Sequence, residues 1–124
     1  MPDVNGLWLG TYWQEGKPTR FEATLVQGGN ALSGRILDDG YLGEAQIDGE
    51  VVGRSIRFTK RYLAQSQHII SYSGTLSEDA NSMQGTWRIG LFHSGQWEAH
   101  RNNDDLMQSL KTVLEKKVPV VTNS

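Results

Sequence analysis

The 124-residue chain predicts an all-β fold: eight short antiparallel strands in an up-and-down (meander) barrel, then a C-terminal α-helix. Three observations predict it. Apolar and polar residues alternate with period two over the first hundred residues, the pattern of strands with one buried face. Turn residues break that alternation at nearly even spacing, as in sandwiches and barrels. Gly is abundant, at 14 residues, and the hydrophobic fraction is only 37%, which suits a β protein with many turns and a thin core.

The expected strands run from Leu7 to Gln14, Arg20 to Gln27, Ala31 to Leu37, Gly43 to Val51, Ser55 to Tyr62, His68 to Leu76, Ser82 to Ile89 and Gly95 to Arg101. Their punctuation is Glu15-Gly16-Lys17-Pro18, Gly28-Gly29-Asn30, Asp38-Asp39-Gly40, Val52-Gly53-Arg54, Gln65-Ser66-Gln67 and Ser77-Glu78-Asp79-Ala80-Asn81. Every link is short. A parallel crossover needs a dozen or more residues, so neighbours are antiparallel. Closure removes both sheet edges and is favoured over an open sheet. The expected organisation is a barrel domain over residues 1–102, a helix packed on it over 103–118, and a tail over 119–124. Asn103-Asp104-Asp105 supplies an N-cap and acidic first turn. Leu106, Met107, Leu110, Val113 and Leu114 fall on one helical stripe, and Pro119 ends it.

The totals exclude several classes of function. Twelve basic residues against 14 acidic give a net charge of −2, with no basic stripe for nucleic acid. The absence of Cys removes disulfides, thiolate catalysis and Cys-based zinc sites. No apolar run reaches the ~20 residues of a membrane span. The N-terminus carries no signal-peptide pattern, so a cytoplasmic location is expected. His68, His93 and His100 lack metal-ligand spacing, no Gly-rich stretch precedes a helix, and no nucleophile elbow occurs. Asp38-Asp39 reads as a turn and Asp104-Asp105 as a helix start, leaving no carboxylate on the inward face and no catalytic pair. A non-enzymatic protein without a cofactor or metal is expected.

Period two sorts each strand into two faces. The inward set is Trp8, Gly10 and Tyr12; Phe21, Ala23 and Leu25; Leu32, Gly34 and Ile36; Ala45, Ile47 and Gly49. It continues with Ile56, Phe58, Lys60 and Tyr62; Ile70, Tyr72 and Gly74; Met83, Gly85, Trp87 and Ile89; Trp97, Ala99 and Arg101. Recurrent inward Gly implies tight coiling and leaves room inside. The inward side chains are rich in aromatics with polar tips, and an eight-stranded barrel is either filled by its own side chains or holds one small ligand. Tyr12, Phe58, Lys60, Tyr62, Tyr72, Trp87 and Trp97 are the candidate ligand-binding residues. An inward Lys is rare unless paired. Lys60 has two readings: it lies near a barrel mouth and reaches solvent, or it anchors an anionic ligand head beside Tyr62 and Tyr72.

Gly6-Leu7-Trp8 resembles the Gly-x-Trp that opens the first lipocalin strand. That resemblance to the calycin group implies an Arg after the last strand stacking on the Trp to close the barrel, a role Arg101 is placed to fill beside Trp8. Phe58-Thr59-Lys60-Arg61-Tyr62, Tyr72-Ser73-Gly74 and Met83-Gln84-Gly85-Thr86-Trp87 are similar to avidin and streptavidin strands five to seven. Trp87 matches the Trp that packs on biotin, with Phe58 where another Trp stands. The biotin hydrogen-bonding set does not carry over: His68, Ile70 and Gln14 stand near its positions, and the last strand has no Asp. Two functions stay open. One is a binding barrel for a small, partly apolar or anionic molecule. The other is a ligand-free structural or interaction barrel, homo-oligomeric through outward Leu9, Leu37 and Ile69.

Overall fold

The computed structural model describes residues 3–39, 43–64 and 69–102. The helix expected over 103–118, the tail, His68 and the Gln65-Ser66-Gln67 link lie outside the described residues. Eight strands form a closed antiparallel barrel in sequence order: β1 (Gly6–Gln14), β2 (Lys17–Gly28), β3 (Ala31–Asp38), β4 (Glu44–Val52), β5 (Ser55–Tyr62), β6 (Ile69–Leu76), β7 (Ser82–Ile89) and β8 (His93–Arg101). β8 returns to β1 with Trp8 opposite Arg101, Gly10 opposite Ala99 and Tyr12 opposite Trp97.

The strands run closer to their turns than the turn residues suggested. Lys17 and Pro18 belong to β2, because the first hairpin turns in just two residues and Gln14 pairs directly with Lys17. Both turn residues have positive φ, Glu15 at 52° and Gly16 at 80°, the requirement of a type I′ turn whose twist matches the strands it joins. β8 likewise starts at His93. β3 extends through Asp38, which pairs with Phe21 and is 5% exposed. Asp38 is therefore an inward strand residue and not part of a turn.

The core is the inward register of all eight strands. Phe21, Ala23, Leu25, Leu32, Ile36, Ala45, Ile47, Ile56, Ile70, Met83 and Ala99 are buried there together with the aromatics. Val51 and Leu76 continue the same register to the strand ends, and Val4 joins from the N-terminal segment. The inward glycines are packed against, not vacant. A Cβ at Gly10 would strike the Phe21 ring, one at Gly74 the Trp97 ring, and one at Gly85 the backbone of Ser73. The room left by missing side chains is taken by neighbouring rings and by the close approach of adjacent strands, as tight coiling requires.

The meander gives the barrel two distinct ends. The chain enters at the end where β2–β3, β4–β5 and β6–β7 turn, and there the interior is plugged. Trp8 is fully buried and its Nε1–H donates to the Val4 carbonyl at 2.9 Å. The Arg101 guanidinium lies 4.7 Å from the Trp8 ring centroid. It donates to the carbonyls of Asn5, Asp3 and Ala80 and to Asn81 Oδ1. The expected Trp8–Arg101 closure is thus present, and its mechanism is visible: one cation ties the N-terminal segment, the β6–β7 turn and β8 into a single cap.

Candidate functional site

At the other end, where β1–β2, β3–β4, β5–β6 and β7–β8 connect, the interior is polar. Four strands contribute. β1 brings Tyr12, β3 brings Asp38, and β5 brings Lys60 and Tyr62. Lys60 Nζ donates to both Asp38 oxygens, at 2.8 and 2.9 Å. Tyr12 Oη donates to Asp38 Oδ2 at 2.9 Å, and Tyr62 Oη donates to the same oxygen. Tyr72, from β6, completes the surround: Lys60 Nζ lies 4.7 Å from the Tyr12 and Tyr62 ring centroids and 5.7 Å from that of Tyr72. Aromatic faces stabilise an ammonium that has left water.

Both members of the ion pair are almost wholly withdrawn from solvent, with side-chain exposures of 0% for Lys60 and 1% for Asp38. Lys60 therefore does not reach solvent at a mouth. Nor is it a free anchor for an anion, because a carboxylate already holds it. Burial lowers its affinity for a proton, and Asp38 opposes that shift. Burial raises the hydroxyls of Tyr12, Tyr62 and Tyr72 above the ordinary phenol range. Hydrogen bonding to Asp38 adds to the effect at Tyr62. The cluster is one carboxyl group, Asp38, receiving hydrogen bonds from Lys60 Nζ and two phenol hydroxyls.

The remaining candidates form a second layer toward the middle. Phe58 and Tyr72 stack at 4.8 Å between centroids, and Trp97 meets both edge-on at 5.7 and 5.6 Å. Trp97 Nε1–H donates to the carbonyls of Ser73 and Thr86. Trp87 lies edge-on to Tyr12 at 6.5 Å, and its Nε1–H donates to the Trp13 carbonyl at 3.0 Å. The structure thus gathers Tyr12, Lys60, Tyr62 and Tyr72 around Asp38, with Trp87 against Tyr12 and with Phe58 and Trp97 beneath Tyr72. Trp8 and Arg101 stand at the opposite end. The groove of about 600 Å³ beside Tyr72 and Trp87 opens on the outer face, where Arg57, Thr59 and Arg88 line it.

Asp38 is the residue that sequence reasoning missed. Its signal was present: Leu32, Gly34, Ile36 and Asp38 share one register, and an inward Lys60 demands a counter-charge. Among the described residues no group of three His, Cys, Asp or Glu is placed to hold a metal ion.

No protein-family model matches the sequence, and no curated protein matches it. Solved structures do. One is a redesigned β-barrel with TM-score 0.64, 11% identity, and coverage of 82% of this chain and 92% of that one. A second is a de novo designed fluorescence-activating β-barrel, with TM-score 0.60, 16% identity, and coverage of 79% and 93%. A third is the redesigned β-barrel mFAP1 bound to DFHBI, with TM-score 0.62, 9% identity, and coverage of 80% and 94%. At these identities the likeness is one of fold: this chain is similar to designed and redesigned β-barrels.

Proposed function

We propose that the protein is a non-enzymatic barrel that binds a small, partly apolar molecule at the Tyr12 end of its interior. One observation carries the reading: the Lys60–Asp38 pair is buried beneath polar-tipped aromatics at one end only. Desolvating two charges costs several kcal/mol per ion, and apolar replacements of similar volume are often no less stable (about 0–4 kcal/mol in their favour). Stability alone gives little reason to keep such a pair, and buried ionisable groups concentrate at functional sites.

Because Asp38 already holds Lys60, an uncharged ligand fits better than an anion, which would have to take Lys60 from its partner. A flat molecule with a hydrogen-bonding edge would lie against Tyr12 and Trp87 and replace the Tyr12 bond to Asp38. The fold of mFAP1, solved with DFHBI bound, supports the choice of a small-molecule ligand. The Gly6-Leu7-Trp8 opening and the Trp8–Arg101 stack support kinship with calycin barrels.

A second reading is favoured by one observation: the space at the inward glycines is occupied by Phe21 and Trp97. On that reading the barrel is filled and acts through its exterior. Titrating neutral aromatic compounds, DFHBI and fatty acids while following Trp fluorescence and heat separates the two. Binding of uncharged aromatics, weakened by Tyr12→Ala, is expected. If no compound binds, the filled-barrel reading replaces this one.

A further inference from the structure

Exposed large apolar residues occur at both ends, Leu7, Val26 and Val52 at the Arg101 end, but the most exposed lie at the other. Leu91 and Phe92, adjacent at the tip of the β7–β8 turn, are 87% and 90% exposed. Gly90, at φ +60°, turns the chain so that both project from the barrel end. Leu63, just beyond β5 at the same end, is 53% exposed. Single exposed apolar residues are ordinary, but two adjacent large ones in nearly full contact with water are not explained by packing.

The charges around that tip have one predominant sign. Lys17 and Arg20 open β2, Arg61 closes β5 and Arg88 closes β7, and all four are exposed. Among the described residues none of the four lies within ion-pair distance of a carboxylate. Among the described residues, and besides the buried Asp38 held by Lys60, the acidic residues sharing that end are Glu15 and Asp39, together with Glu44, which is paired with Arg35. The opposite end is different. Asp3, Glu50, Glu78 and Asp79 gather there, and its arginines are engaged: Arg54 with Glu78, Arg57 with Glu50, and Arg101 with the cap.

We infer that the Tyr12 end is a docking face for an anionic lipid bilayer, with Leu91 and Phe92 entering the headgroup–acyl boundary and Lys17, Arg20, Arg61 and Arg88 facing the lipid phosphates. Apolar side chains flanked by a cationic rim are the composition that binds such interfaces peripherally. The face has the charge complement for that surface, and the acidic opposite end would be repelled by it. The inference stands on the exterior alone and does not depend on whether the interior takes a ligand.

The test is co-sedimentation of the full chain with phosphatidylserine/phosphatidylcholine vesicles and with phosphatidylcholine vesicles. Binding to the anionic vesicles alone, weakened by salt, is expected. The double variant Leu91→Ser, Phe92→Ser should lose about tenfold in affinity, and Arg61→Glu with Arg88→Glu should abolish binding at physiological salt. None of these side chains is in the core, so circular dichroism should be unchanged. Because the chain has no Cys, Leu91→Cys and Glu78→Cys each accept one environment-sensitive dye. A blue shift on vesicles at position 91 and none at 78 supports the orientation. Absence of binding to anionic vesicles overturns the inference, as does an equal shift at both positions or undiminished binding by the Leu91/Phe92 variant.

Discussion

The two ends of this barrel hold the same kind of group, an inward-register cation among aromatic rings, and treat it in opposite ways. Arg101, a half-buried residue, lies against Trp8 and spends its donors on backbone carbonyls and one Asn. Lys60 is fully buried and is neutralised by Asp38. The first arrangement costs little desolvation and fastens three chain segments. The second removes two charges from water and ties β1, β3 and β5 through Asp38, in a volume that apolar side chains could also fill. On the proposed function the difference separates a structural closure from a binding site: one end is capped through Arg101, while the other keeps a buried ion pair among aromatics.

That contrast can be broken by mutation, and the largest effect belongs to the buried pair. Asp38→Asn strands the Lys60 ammonium in the interior and should cost about 3–5 kcal/mol near neutral pH, read from urea unfolding. Burial lowers the folded-state pKa of Lys60. The loss should therefore shrink as pH rises through that lowered value toward the unfolded value near 10.4. Asp38→Leu combined with Lys60→Met should restore stability to within about 1 kcal/mol of the wild type or exceed it. A double variant as unstable as Asp38→Asn would show that the pair is structural after all.

Arg101→Ala should cost less, about 2 kcal/mol, from the loss of charged hydrogen bonds and the Trp8 stack. It should leave the pH dependence unchanged above the acid range; within that range, the exposed Asp3 carboxyl, which Asn5 and in part Arg101 hold below its ordinary value, should contribute slightly less to the pH dependence of stability. The smallest effects lie in the tyrosines. Tyr12, Tyr62 and Tyr72 have raised folded-state pKa values. Their contribution is complete below the unfolded value near 10 and is lost as pH climbs above it. Stability should accordingly fall beyond about pH 10. Tyr12→Phe should cost about 1 kcal/mol at neutral pH and make that alkaline fall shallower in denaturant midpoints measured across pH.

The barrel was legible because period two is strict: every residue sorted inward from Trp8 to Arg101 except Gly49 is buried or half-buried. Leu9, Leu37 and Ile69 are exposed as sorted. Leu9 and Leu37 both flank Glu22, whereas Ile69 lies opposite Arg61 on β5, so the three do not form one patch. Strand ends were less legible. Asp38-Asp39-Gly40 is good turn chemistry, and local propensity hid a residue whose partner is 22 positions away. Val51 and Leu76 were placed at the ends of their strands but left out of the inward set, although they share its register and are buried. The filling of the glycine spaces by Phe21 and Trp97 could not be read from the sequence, because ring orientation depends on strand tilt and neighbours across the barrel.

Hydrogen exchange of the indole N–H groups tests the account most directly. If the Tyr12 end opens to admit a ligand, the Trp87 proton bonded to Trp13 should exchange through local opening. The Trp8 proton bonded to Val4 should exchange only with global unfolding. Equal protection of the two, at the level of global stability, would mean that both ends are sealed, and the binding reading would fall.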